Sequence, residues 1–285
     1  MRIDLHTHST ASDGTDSPAE LIRAAAAAGL DVVAITDHDT TGGWDEALAA
    51  RPDGLTVVPG VEFSCVHHDA DGRRVSLHLL AYLADPDNEA LQAEWTRLRA
   101  GRVTRGKLMV ENLVADGYPI SWEQVSALAA DGSVGRPHIG RALVDSGVVP
   151  DVSAAFGDLL SSRRPYYVRK PDTDVFEAIA LVRGAGGLPV FAHPLARRRG
   201  PVVSDETIAA MAAAGLVGLE VQHPDHDDAD RAHAAELTRD LGLLGTGSSD
   251  YHGTNKPTPI GVCLTDPDVY EQLVALPTAR TPVGP

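Results

Sequence analysis

The sequence predicts an α/β fold, a parallel sheet or barrel whose working residues gather at one rim. Three observations point there. Short apolar runs alternate with amphipathic helical stretches at both ends of the chain, the rhythm of repeated βα units. Histidines and carboxylates recur where the apolar runs stop, which is where such a fold collects a site. The middle of the chain, residues 90–170, departs from the rhythm and reads as helices with few strand candidates.

Ile3 to Leu5 reads as the first strand. Ser17-Pro18-Ala19-Glu20 is a capping box with proline in the first turn, and the alanine-rich helix it opens runs to a C-cap glycine, Gly29. Strands are expected at Asp31–Ile35, Leu55–Val61 and Val75–Leu80. Helices are expected from Leu91 to Ala115 and at 121–130, 137–146 and 151–161. Alternation resumes with a helix from Asp174 to Arg183, strand Leu188–Ala192, helix 204–214, strand Val217–Val221, helix 227–241 and strand Leu243–Gly245. The tail after 265, rich in Pro and Thr, is weakly specified. Residues 1–89 and 171–285 then form the sheet or barrel, and 90–170 a helical insertion suited to a lid or substrate-binding role.

Composition narrows the function classes. Hydrophobic residues at 43% and charged residues at 22% fit a globular chain and not a disordered one. No apolar run approaches the ~20 residues of a membrane helix. Met1 to Leu5 leads straight into a histidine motif, so no signal peptide is expected. Cys65 and Cys263 are too few for a disulfide framework and read as small residues in a reducing cytoplasm. The net charge of −16 argues against a protein that coats long duplex DNA. That charge is uneven: residues 90–170 hold eleven Lys+Arg and eight Asp+Glu, so the segment is +3 and the remainder −19. An acidic body suits cations, and a basic segment beside it suits an anionic substrate.

His6-Thr7-His8 ends the first strand, and residues i and i+2 of a strand project to one side, so both imidazoles can meet one cation. The pattern then recurs. Thr36-Asp37-His38-Asp39 ends the second strand and Glu62 the third, while the fourth presents His78. His193-Pro194 and Ser248-Ser249-Asp250-Tyr251-His252 end later ones, and Asp13 lies in the turn after His8. Imidazole and carboxylate together bind borderline divalent metals. Glu62 follows Val57, Val58 and Val61, where an unpaired buried carboxylate is costly, and a cation removes that cost. Nine candidates exceed one ion's needs, so two or three ions are expected.

His-x-His, Ser-Asp-Gly, Thr-Asp-His-Asp, Pro-Gly-x-Glu, His-x-Leu, His-Pro and Ser-Asp-x-His, in this order from Asp4 to His252, resemble the polymerase and histidinol phosphatase (PHP) superfamily. The likeness is strongest to its small stand-alone phosphoesterases. It implies a distorted (β/α)7 barrel and a site of up to three manganese, iron or zinc ions. The implied ligands are His6, His8, Asp13, His38, Glu62, His78, His193, Asp250 and His252, with Asp13 standing where several relatives have histidine. It also implies hydrolysis of nucleoside 3',5'-bisphosphates or removal of nucleotides from the 5' end of short RNA.

In the expected reaction, ions sharing Glu62 generate a nucleophile near neutral pH, and His193, Asp250 and a metal-bound water are the candidate proton donors. Gly135-Arg136-Pro137-His138 opens a helix in the basic segment, where Arg136 can grip phosphate and His138 can assist or cap. Lys170 and His223 are further substrate-binding candidates. His67, His68, His226 and His233 read as exposed, and Arg197-Arg198-Arg199 as solvated. Histidinol-phosphate phosphatase, a metal-dependent amidohydrolase and a non-catalytic metal- or nucleotide-binding module are the alternative functions. Oligomeric state is not readable from the sequence.

Overall fold

A computed structural model describes residues 1–129 and 132–284. Its sheet is built from β1 (Ile3–Asp4), β2 (Val32–Ile35), β3 (Thr56–His68), β4 (Arg74–Tyr82), β6 (Leu188–Ala192), β7 (Gly218–Gln222) and β8 (Leu244–Gly247), hydrogen-bonded in that order. A two-residue strand, β5 (Thr173–Asp174), lies off this path against β3. The two ends of the path also meet: the His8 N–H donates to Tyr251 O at 2.8 Å, and Thr7 and Tyr251 form a parallel bridge. The result is a nearly closed, seven-stranded distorted barrel. Helices α1 (Pro18–Ala27), α2 (Trp44–Ala49), α7 (Val175–Gly184), α8 (Asp205–Ala213), α9 (Asp228–Leu241) and α10 (Pro267–Val274) belong to the barrel half of the chain. The apolar faces of α1, α2, α7 and α8 bury Leu21, Trp44, Ile179 and Met211 in its main core.

Two features depart from the sequence reading. Strand β4 runs antiparallel to both neighbours, pairing Glu62 with Leu80, Ser64 with His78, and His78 with Ala192. β3 does not stop at Val61 but continues to His68, so Glu62 and His78 lie within strands and not at their ends. The cause is a hairpin. The Asp69 N–H donates to Arg73 O at 3.0 Å, and Gly72 sits at φ +75°, a conformation glycine adopts without a Cβ clash. Helices α2 and α10 were not foreseen.

Between β4 and β5 run α3 (Glu89–Ala115), α4 (Trp122–Ala129), α5 (Arg136–Asp145) and α6 (Val152–Ala155), the last continuing into a π-helical turn at Phe156–Leu160. The end expected at residue 130 lies outside the described residues. Asn88 caps α3, accepting from the Leu91 N–H at 3.1 Å. The first turns of α3 bury Leu91, Trp95 and Leu98 in the barrel core. Its later turns carry Met109, Val110 and Leu113 into a separate cluster with Ile139, Leu143 and Leu160. Where the two meet, Arg102 donates to Asp39 at 2.8 Å and to Ser64 at 2.6 Å. That buried ion pair fixes α3 over the barrel rim. No helix among the described residues is long and apolar enough to cross a membrane.

Candidate metal centre

Glu62 is the hub of the rim. Its Oε2 lies 3.3 Å from His6 Nε2, 3.1 Å from His8 Nε2 and 3.0 Å from His38 Nδ1. Its Oε1 lies 2.6 Å from His78 Nδ1 and 3.0 Å from His193 Nε2. Two more carboxylates flank it. Asp13 approaches His252 Nε2 at 3.4 Å and His38 Nε2 at 3.7 Å, and Asp250 Oδ1 lies 3.5 Å from His8 Nε2. The nine residues singled out from the sequence thus converge. Eight of them fall into three groups with the reach to hold an ion: His8, Asp13, His38 and His252; His6, His8 and Asp250; His38, Glu62 and His78. His193 adjoins the third through Glu62.

The electrostatics of this pocket suit cations. Burial pushes against ionisation of Asp13, Glu62 and Asp250, but neighbouring groups outweigh it, imidazoles for Asp13 and Glu62, and all three are held well below the usual carboxylate range. For Asp250 the outweighing charges are led by Lys256 and Arg199. Burial holds His38 well below the ordinary histidine value, His193 at about 3 and His252 at about 4. These rings therefore stay neutral, the form that ligates metal. Burial also disfavours charge on His6 and His8, but the carboxylates around them prevail and raise His8 to about 9. A cation would take the place of those protons. His38 Nδ1 is also a buried nitrogen with no aligned hydrogen bond among the described residues, although Glu62 is close. Donor set, burial and the orphaned nitrogen all fit divalent ions.

Backbone placement shows the same selection. His193 and Asp250 occupy left-handed conformations at φ +34° and +50°, and Asp39 at +54°, which non-glycine residues keep only where surroundings fix them. Asp37 fixes another part of the rim: its carboxylate accepts from the Ser9 N–H at 2.8 Å and the Ser12 hydroxyl at 2.6 Å, shaping the loop between His8 and Asp13.

Glu220, in the middle of β7, was missed from the sequence. It is fully buried, lies 3.0 Å from His6 Nδ1, and accepts from the His193 N–H at 2.7 Å and from the Ser248 hydroxyl. A proton held on Nδ1 by Glu220 leaves the His6 Nε2 lone pair facing the pocket. The only signal was one carboxylate inside an apolar strand, Gly218-Leu219-Glu220-Val221. Glu220→Gln is expected to lower metal affinity or activity by about 10- to 100-fold, the usual weight of such a partner. Metal titration and kcat check this, and wild-type values for both would contradict it.

The other predicted residues divide. Arg136 is half-buried, donates to Leu160 O at 3.1 Å, and stacks over Phe156 and Tyr167 at 4.9 and 5.6 Å. Arg105, not foreseen, also lies over the Tyr167 ring, at 5.2 Å, with its Nη2 buried and unpartnered among the described residues. No carboxylate among the described residues forms an ion pair with either. Burial and the Arg136 charge press Arg105 down to about 9. His138 caps its own helix, its Nδ1 accepting from the Gly135 N–H at 2.9 Å. Lys170 is engaged by Asp172, with which Arg74 also pairs. His223 is buried near the pocket, its ring 5.3 Å from that of His193.

His226 corrects the sequence reading. It is buried, its Nδ1 lies 3.0 Å from Val221 O, and the Leu195 N–H donates to its Nε2 at 3.2 Å. It braces β7 against the loop after β6. His67 is half-buried at 3.5 Å from Thr207, His233 pairs with Asp205 at 3.0 Å, and His68 is exposed. Arg199 is not simply solvated: it donates to Asp225 and Asp250, each at 2.6 Å.

Comparison with known proteins agrees with this geometry. The PHP domain family model matches residues 4–127. A 3',5'-nucleoside bisphosphate phosphatase of Chromobacterium violaceum is 35% identical over 88% of this chain and 87% of its own length. A 5'-3' exoribonuclease of Haemophilus influenzae is 33% identical over 88% of this chain and 90% of its own. The crystal structure of a metal-dependent phosphoesterase from Bifidobacterium adolescentis superposes with TM-score 0.89 at 40% identity, covering 95% of each chain. Kinship over nearly the whole length, joined to a rim of converging imidazoles and carboxylates, makes this chain a member of the PHP family and a metal-dependent phosphoesterase.

Proposed function

We propose that the chain removes a phosphate monoester from a nucleotide, with a nucleoside 3',5'-bisphosphate as the preferred substrate and 5'-end degradation of short RNA as the second activity. The observation that carries this reading is the pair of guanidinium groups on the insertion, Arg105 buried and Arg136 half-buried, neither with a carboxylate partner among the described residues and the first with a buried Nη2 that makes no hydrogen bond. The start of the Arg136 helix adjoins the rim: a Cβ on Gly135 would stand 3.4 Å from Asp13 Oδ2. Unpaired buried cations are costly, and an anionic ligand relieves them. A hydrolase acting on uncharged amides needs no such pair.

His6, His8, Asp13, His38, Glu62, His78, His193, Asp250 and His252 would hold two or three ions, and their mixed nitrogen and oxygen donors suit manganese, iron or zinc. When bound, such ions supply Lewis-acid stabilisation of phosphate charge and an acidified water. Glu62 sits between two of the three groups and would orient both. Arg136 and Arg105 would bind the substrate's anionic oxygens and offset charge growing on them. His223, buried beside His193, and Lys170, paired with Asp172, would be further substrate contacts. Residues 90–170 act in this reading as the substrate-binding lid on a barrel formed by 1–89 and 171–285. The formal charge of −16 favours a small phosphorylated substrate over long duplex DNA.

The test measures phosphate or nucleotide release by the manganese-loaded chain from a nucleoside 3',5'-bisphosphate, a 5'-phosphorylated oligoribonucleotide and histidinol phosphate. The expected order of kcat/KM is as written. Preference for histidinol phosphate would refute the nucleotide reading.

A further inference from the structure

Asp250 presents its two oxygens in opposite directions. Oδ1 faces His6, His8 and His252 at 3.4 to 3.6 Å. Oδ2 accepts from Arg199 Nη2 and from Lys256 Nζ, each at 2.6 Å, with His223 Nε2 at 3.4 Å. Arg199 is itself anchored, since its Nε donates to Asp225 Oδ2 at 2.6 Å. The Asp225 N–H in turn donates to His223 Nδ1 at 3.0 Å, which leaves the hydrogen of a neutral His223 on Nε2, facing Asp250. The neighbouring Arg197 turns away to Asp230 at 3.3 Å, so the inward pairing belongs to Arg199 and not to the arginine run as a whole.

We propose that Arg199 and Lys256 are positioning residues that commit Asp250 to the metal centre through one oxygen. A free carboxylate rotates, and it can clasp one ion with both oxygens or bridge two. Two cationic donors on Oδ2 oppose either arrangement, because they occupy that oxygen and repel a second positive charge from it. Oδ1 alone then remains for the group formed with His6 and His8. The left-handed backbone at Asp250 holds the same orientation from the other side. The inference rests on reading the pocket as a metal centre.

The test compares the full-length chain with Arg199→Met, Lys256→Met, the double variant and Arg199→Lys. Each is loaded with manganese, freed of excess ion and assayed for bound manganese, thermal midpoint, and kcat and KM on a nucleoside 3',5'-bisphosphate. In the double variant one equivalent is expected to bind about 10- to 100-fold more weakly, with kcat lowered and KM within about twofold of the parent. The other ions stay, and Arg199→Lys recovers most of the lost affinity. Full manganese content with a raised KM would overturn the proposal, because the pair would then read substrate. Full content with parental kinetics would overturn it as well. If the double variant melts early, Lys256→Met alone decides, and parental manganese affinity there rejects the idea. A parent chain that takes up no manganese would remove the metal-centre reading and this inference together, a result distinct from normal loading with unaffected variants.

Discussion

Glu62→Gln is expected to lower kcat by on the order of a thousandfold and to strip the chain of part of its metal. The side chain is only 2% exposed and contacts five imidazoles within 3.3 Å, so no water stands ready to replace its charge. Glutamine keeps the shape and removes the charge. It would also turn an amide N–H₂ toward ring nitrogens that must stay free for metal. The loss should therefore appear in both elemental analysis and turnover, with the melting temperature of the metal-free chain as a control for folding. Parental activity with parental metal content would dismiss Glu62 as the hub.

The second large effect is expected from Arg105→Ala/Arg136→Ala. A hydrogen bond to a charged group contributes roughly 1.5–3 kcal/mol, so losing one or both should raise KM by about 10- to 100-fold or more. Metal content should not change, since neither guanidinium approaches a metal-binding carboxylate within ion-pair distance. This separates the pair from Glu62, whose loss affects metal first. Arg136 also stacks on Phe156 and donates to Leu160 O. Arg105 likewise donates to Val168 O at 2.8 Å and stacks on Tyr167, so the melting temperature of each single variant is the folding control, and an unchanged KM in a folded Arg105→Ala would reject the anion role.

Much of the barrel and of its rim was legible because each clue was local. Apolar runs ending in His or Asp name both a strand and the side to which it delivers its last residue, and His6-Thr7-His8 needs only the two-residue period of a strand. Elements that depend on partners distant in sequence were less legible. The reversal of β4 follows from the turn at Asp69–Gly72, whose Asp71-Gly72 dipeptide is a recognised hairpin signal that the strand reading of 75–80 did not use. Glu220 was lost because a single strand carboxylate has no period, and its meaning comes from His6, far away in the chain. Arg199 was hidden within a run of three arginines that differ only in what the fold sets opposite them. His226 looked exposed because Asp225, Asp227 and Asp228 surround it, whereas the backbone turns its ring inward. Arg105 carried no cue beyond being one basic residue in a long helix.

The seam between β1 and β8 has a consequence for how the molecule is made. Contacts such as His8 to Tyr251 join residues near opposite ends of the chain, and closing so long a loop costs entropy before those contacts return any stability. During synthesis, His6, His8, His38 and Glu62 emerge long before Asp250 and His252. No nascent fragment can therefore own the finished cage, although the group of His38, Glu62 and His78 is complete early in the chain. Completion of the rim waits on the last barrel strand, β8, after which Asp250 and His252 join the residues supplied earlier in the chain.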